Sequence, residues 1–252
     1  MLPDTPLLIA EGLSRTYGKS RVVNSVSFAI ARGEILGLVG ESGSGKSTVA
    51  RMVLRLVEPT AGTVHFDGVD VLRARKPAMK ALRRRMGVVF QDPFGALNPR
   101  MRVRDILAEP FAIHGMKLPE GKLLAMLTEV GLEASALDRF PHAFSGGQRQ
   151  RINIARALAL QPEFLVLDEP VSALDVSVGA QIINLLQQLQ RTRGLTCLFI
   201  SHSMPLVRYL CDRVAVMQRG DIVEVGDAVN ICEHPRVAYT QALIAATPAF
   251  HP

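Results

Sequence analysis

The chain has 252 residues, 48% of them hydrophobic and 21% charged, with a net charge of +6. At that length about 70–75% of the unfolded surface can be buried, so a sizeable core is available and dominant disorder is excluded. Twenty glycines and three cysteines exclude collagen-like and disulfide-rich scaffolds. The charge is local. Arg73, Arg75, Lys76, Lys80, Arg83, Arg84 and Arg85 fall in one acid-free stretch, and these seven charges exceed the net +6, so the remainder carries −1. The stretch predicts a solvated helix face near a hairpin, not a nucleic-acid site, because no aromatic interleaves it to stack on bases; contact with anionic lipid headgroups is an alternative use.

The N-terminal third reads as strands and turns, with candidates at Leu7 to Leu13, Val22 to Ile30 and Glu34 to Val39. Asp67-Gly68, between Val64–Phe66 and Val69–Val71, signals a hairpin. From about Asp105 to Leu160 the periodicity is helical, as in Leu123, Leu124, Met126, Leu127 and Val130, with Pro110, Pro119 and Pro141 punctuating it. Short apolar strands then alternate with helices: Phe164–Leu167, Val178–Arg193, Thr196–Ile200, Pro205–Leu210 and Val214–Met217. That alternation predicts a parallel sheet with crossover helices. The fold class is therefore α/β, with a β-rich start and a helical insertion.

The longest purely apolar runs are four or five residues, far below the ~20 of a membrane span. Met1-Leu2-Pro3-Asp4 shows no secretory leader, and Cys197, Cys211 and Cys232, at spacings of 14 and 21, match neither a CxxC pair nor a metal cluster. The expected compartment is the cytoplasm.

Gly40-Glu41-Ser42-Gly43-Ser44-Gly45-Lys46-Ser47-Thr48 contains G-x-x-x-x-G-K-[ST]. Glycines let the backbone curl so that successive N–H groups face phosphate oxygens. A helix from Lys46 to about Leu56 adds the positive end of its dipole. Lys46 supplies charge to the β- and γ-phosphates, and the Ser47 hydroxyl coordinates Mg²⁺. A merely Gly-rich turn would need neither the apolar strand Ile35–Val39 before it nor the apolar-periodic helix after it. Phe164-Leu165-Val166-Leu167-Asp168-Glu169 would deliver two carboxylates to the edge of a parallel sheet. Asp168 would hold Mg²⁺, and Glu169 would act as general base on the attacking water.

With these features in place, the chain resembles the ATP-binding subunits of ABC transporters. The decisive residues are Phe144-Ser145-Gly146-Gly147-Gln148, then Arg149-Gln150-Arg151 and Ala155-Arg156-Ala157-Leu158, just before the acidic strand. Phe144 replaces the commoner leucine. The resemblance implies a P-loop NTPase core with a parallel sheet, an N-terminal antiparallel β subdomain and an inserted α-helical subdomain. It divides a single domain into core and β subdomain (1–90 and 162–230), helical insertion (91–161) and tail (231–252). It also implies roles. Ser145, Gly146, Gly147 and Gln148 would meet the γ-phosphate bound to a second subunit. Gln91 would touch Mg²⁺, Asp175 would cross the dimer interface, His202 would contact the γ-phosphate, and Tyr17 would stack on adenine.

Gln91-Asp92-Pro93-Phe94-Gly95-Ala96-Leu97-Asn98-Pro99-Arg100 and the tail His234-Pro235 … Tyr239-Thr240-Gln241-Ala242-Leu243 look like the peptide and nickel uptake group. The resemblance then implies an ATP- and Mg²⁺-dependent hydrolase on the inner face of the cell membrane. Its partners would be permease subunits, a second and different ATPase chain, and indirectly a solute-binding protein. The cargo would be a peptide, or nickel in the alternative reading. Some members of the group carry a C-terminal cysteine cluster for an iron–sulfur centre; with Cys232 alone near the end at Pro252, none is expected here. A soluble ATPase of the same superfamily acting on DNA or ribosomes is the competing class. It would need long coiled coils or a second ATPase domain. A GTPase would need an N-K-x-D motif, which is missing.

Overall fold

The computed structural model describes residues 6–246; Met1–Asp4 and Pro252, used above, lie outside them. In chain order the elements are β1 (Leu8–Tyr17), β2 (Ser20–Ile30), β3 (Ile35–Val39), α1 (Lys46–Val53), β4 (Ala61–Phe66), β5 (Val69–Asp70), α2 (Lys76–Arg85), β6 (Met86–Val89), α3 (Pro93–Ala96), α4 (Val103–His114), α5 (Lys122–Glu129), α6 (Gly146–Ala157), β7 (Phe164–Asp168), α7 (Val176–Arg193), β8 (Thr196–Ser201), α8 (Met204–Leu210), β9 (Arg213–Gln218), β10 (Asp221–Asp227), α9 (Ala228–Glu233) and α10 (Ala238–Ala245).

Two sheets form. The first is antiparallel, in the order β2-β1-β4-β5. Its β4–β5 hairpin turns at Asp67 and Gly68, both at positive φ (50° and 76°), as a two-residue turn of matching twist requires. The second has the order β10-β9-β3-β8-β7-β6; the five strands from β9 to β6 run parallel, and β10 is antiparallel at one edge.

The central strands β3, β7 and β8 are buried along their whole length, which is why they read as continuous apolar runs. Successive side chains still alternate between two cores. Leu36, Leu38, Phe164, Val166, Leu198 and Ile200 join α1 and the antiparallel sheet in one core. Ile35, Val39, Leu165, Leu167, Cys197 and Phe199 join α6, α7, α8 and the helical middle of the chain in the other. Helix α1 is thus sandwiched between the sheets.

Two expectations differ from what forms. The helix from Lys46 stops at Val53, because Arg55 turns left-handed (φ 49°) and Leu56 N–H bonds back to Arg51 O at 2.8 Å. Pro110 does not break the chain but sits inside α4. The basic stretch forms the helix α2 from Lys76 on, with Arg73 and Arg75 ahead of it. Its Arg85 donates to Glu163 Oε1 (Nε, 2.6 Å) and to Asp67 Oδ2 (Nη2, 2.6 Å), while Lys76, Lys80, Arg83 and Arg84 face solvent. No helix among the described residues is long and apolar enough to cross a membrane.

Phe164 on β7 meets Phe66 on β4 at a centroid distance of 6.2 Å, and both rings are fully buried. This contact ties the two sheets together. Phe164→Ala should cost about 3–5 kcal/mol through lost burial and a residual cavity. Denaturant unfolding checks it, and a loss under about 1 kcal/mol would show that the inter-sheet core is not continuous there.

Candidate active site

The parallel strands end at a common edge, and each contributes at its carboxyl end. After β3 comes the loop Gly40–Gly45. Gly40 (φ 153°) has no room for a side chain, because a Cβ there would run into the Met217 carbonyl. Lys46, the first residue of α1, is buried, and its Nζ donates to Gly40 O (2.7 Å), Glu41 O (2.8 Å) and Ser44 Oγ (3.4 Å). Burial lowers its pKa below the ordinary lysine value, against the pull of the nearby Glu169, Asp168 and Glu41 carboxylates.

Strand β7 delivers Asp168. By the alternation of the strand it shares a face with Phe164 and Val166, the face covered by α1. It therefore meets Ser47, whose Oγ donates to Asp168 Oδ1 at 2.9 Å. Burial raises the Asp168 pKa; the Ser47 hydrogen bond opposes that shift. An extended Glu169 would point to the opposite face. Its backbone is instead left-handed (φ 47°), an uncommon state for a non-glycine residue that functional sites often hold. So turned, its Oε2 accepts from Gln91 Nε2 (3.0 Å), beyond β6, and lies 3.5 Å from His202 Nδ1, beyond β8.

Most of these groups surround one cleft of about 810 Å³; Gly40, Ser44 and Asp168 adjoin its walls in sequence but do not line it. Ser42, Gly43, Gly45, Lys46, Ser47, Thr48, Gln91, Glu169 and His202 line it, so the chain brings together residues from four separate strand ends. Val22, Asp92, Ser172 and Ala173 line it too. Val22 was not anticipated as a site residue, since an apolar residue on a strand carries no local sign of a ligand role.

Three expected groups stand elsewhere. Tyr17, at the β1–β2 hairpin, is exposed, carries the Arg15 guanidinium 4.4 Å over its ring, and is not among the cleft's walls. Asp175 caps α7, accepting from Val178 N at 2.9 Å. Ser145 caps α6 reciprocally with Gln148: its Oγ accepts from Gln148 N (3.3 Å), and its own N–H donates to Gln148 Oε1 (3.1 Å). Gly146 and Gly147 follow in the first turn of α6, and a Cβ on Gly147 would overlap Val178 of α7, so this helix start packs against α7 and outside the cleft.

The cleft joins a looped backbone and a buried lysine to a hydroxyl–carboxylate pair and a turned glutamate, an arrangement that can receive phosphate groups. The family described as ABC transporter matches residues 23–172. A Brucella ovis protein whose name describes peptide import ATP binding is 49% identical over 100% of this chain and 81% of its own length. The oligopeptide transport ATP-binding protein OppF of Streptococcus mutans is 44% identical over 96% of this chain and 82% of its own. Among solved structures, the ATP-binding cassette MJ0796, as a dimer in a post-hydrolysis state with ADP and Pi, aligns with a TM-score of 0.78 at 28% identity, covering 88% of this chain and 98% of that one. The chain belongs to the ATP-binding proteins of the ABC transporter family.

The loop's fit predicts a sensitive position. Gly40→Ala must displace either the loop or the Met217 backbone, and ATP affinity should fall by at least about tenfold. Nucleotide titration of the purified chain checks this, and unchanged affinity would show that the loop tolerates the shift.

Proposed function

We propose that this chain is the ATP-hydrolysing subunit of a membrane importer, energising uptake of peptides from the cytoplasmic face of the cell membrane. Membership of the ABC transporter family and the peptide-import names of its relatives support that reading. The observation that carries the chemistry is the convergence at the sheet edge: Ser47 on Asp168 at 2.9 Å under the loop, with Glu169 held by Gln91 and His202.

ATP would lie in the cleft with its phosphates on the N–H groups of Ser42, Gly43, Ser44, Gly45, Lys46, Ser47 and Thr48, at the positive end of the α1 dipole. Lys46 spreads its charge over the β- and γ-phosphates. Ser47 Oγ, Asp168 and the Gln91 amide oxygen form an all-oxygen donor set suited to a hard cation, so these residues fit Mg²⁺, which when bound neutralises phosphate charge. Glu169 accepts a proton from the water that attacks the γ-phosphorus. His202 steadies the γ-phosphate and orients the Glu169 carboxylate. The proton ends on Glu169, the bond to the β-γ bridging oxygen breaks, and ADP and phosphate leave.

The start of α6, with Ser145, Gly146, Gly147 and Gln148, stands outside this chain's cleft. We read it as the half-site for ATP held by a second ATPase chain, with Asp175 beside the interface. That the MJ0796 cassette forms a dimer with ADP and Pi bound supports a two-chain assembly. The partner would be a similar but different chain, and residues 91–161 would pass closure of the dimer to permease subunits. Tyr17 would reach adenine by exchanging Arg15 for the base. Cargo would be selected by a solute-binding protein and the permease.

Two outcomes are expected. Glu169→Gln should keep ATP binding and lower turnover by about 10²–10⁴; near-normal turnover in the assembled importer would remove Glu169 from the role of base. DNA titration of the chain should reveal only weak binding that added salt abolishes. Tight, salt-resistant binding on α2 would favour a nucleic-acid partner instead.

A further inference from the structure

The tail beyond β10 reaches the phosphate loop with one side chain. Glu224 on β10 accepts the N–H groups of Arg236 (2.9 Å) and Val237 (3.4 Å), just ahead of α10. Gln241 Nε2 donates to Pro235 O at 3.0 Å, and Thr240 and Leu243 are buried. Helix α10 is therefore a seated element. From that seat the Tyr239 hydroxyl accepts the N–H of Glu41 at 3.1 Å, across 198 positions of sequence.

That N–H belongs to the Gly40–Glu41 peptide, and the carbonyls of these two residues are the ones that hold the Lys46 ammonium, at 2.7 and 2.8 Å. The other end of the loop is held from outside as well. Ser44 O accepts Gly220 N at 3.0 Å in the β9–β10 turn, and Gly220 O accepts Asn24 N at 2.8 Å. A glycine-rich loop has more conformations to lose than other backbone, so its affinity for phosphate depends on how far it is ordered beforehand. Two external anchors supply that order, one of them the phenol of Tyr239 on α10.

We infer that Tyr239 is a positioning residue for ATP binding: its hydroxyl holds the Gly40–Glu41 peptide, so that the seating of the C-terminal tail on β10 sets the affinity of the phosphate loop for nucleotide. The inference rests on the reading of residues 40–47 as the ATP phosphate site.

The test uses the full chain with Mg²⁺ and ATP or ADP in calorimetric titrations, with slow intrinsic turnover measured alongside. Tyr239→Phe keeps the ring and removes only the acceptor. It should weaken ATP and ADP by about three- to tenfold, the range for one hydrogen bond. KM should rise by the same factor, with kcat at saturating ATP within about twofold of wild type. The melting temperature without nucleotide should move by less than about 2 °C. Glu224→Ala, which unseats the tail, should weaken ATP in the wild-type background and add little to Tyr239→Phe, because both act through one contact. Equal affinity of wild type and Tyr239→Phe overturns the positioning role. A loss matched by a lower melting temperature, or strict additivity of the two substitutions, overturns it as well. A wild-type chain that binds no ATP overturns the reading of the loop itself, and this inference with it.

Discussion

The hydrogen bond from Ser47 Oγ to Asp168 Oδ1 joins residues 121 positions apart, and the rest of the site depends on it. It requires β3 and β7 to lie on either side of β8 in one parallel register, so that the start of α1 and the end of β7 reach the same level. It also requires the strand's alternation to place Asp168 on the α1 face; a slip of one residue would turn it toward the other core. Two buried ionisable groups meet there. Burial disfavours charge on Lys46 and on Asp168 alike, and each is a source of opposite charge for the other.

Glu169 departs from the strand geometry that places Asp168. The left-handed turn at this residue takes its carboxylate off the strand's alternation and sets it between Gln91 and His202. Two more strands, β6 and β8, are thereby tied to the same carboxylate. A glutamate held by neighbours from both sides has few orientations, which suits a group that must meet one water.

Stability and binding occupy different ends of the sheet. At the edge away from the cleft, Arg85 and Arg32 both pair with Asp67 and Glu163. These side chains are 32–43% exposed, so the ion pairs contribute little and serve mainly to align the β4–β5 hairpin with the start of β7. The two apolar cores on either face of the parallel sheet supply most of the fold's stability. The loop edge carries the left-handed glutamate and the glycine that admits no side chain.

Local chemistry was legible in the sequence wherever it is carried by contiguous residues. The loop at Gly40–Ser47 with its strand and helix, the apolar run ending in Asp168 and Glu169, and the Asp67-Gly68 turn all follow from residue types at fixed spacing. The alternation of strands and helices likewise announced the parallel sheet. Tertiary packing alone decided which residues meet across long separations: Val22 on the cleft wall, Arg15 over Tyr17, Gly147 against Val178, and Tyr239 on the phosphate loop. Helix α1 also ended early, where Arg55 turned the chain between the two sheets. The physical reason is the same in each case: hydrogen-bond patterns and periodicity act over a few residues, whereas the partner of a given side chain depends on the order and register in which distant strands assemble.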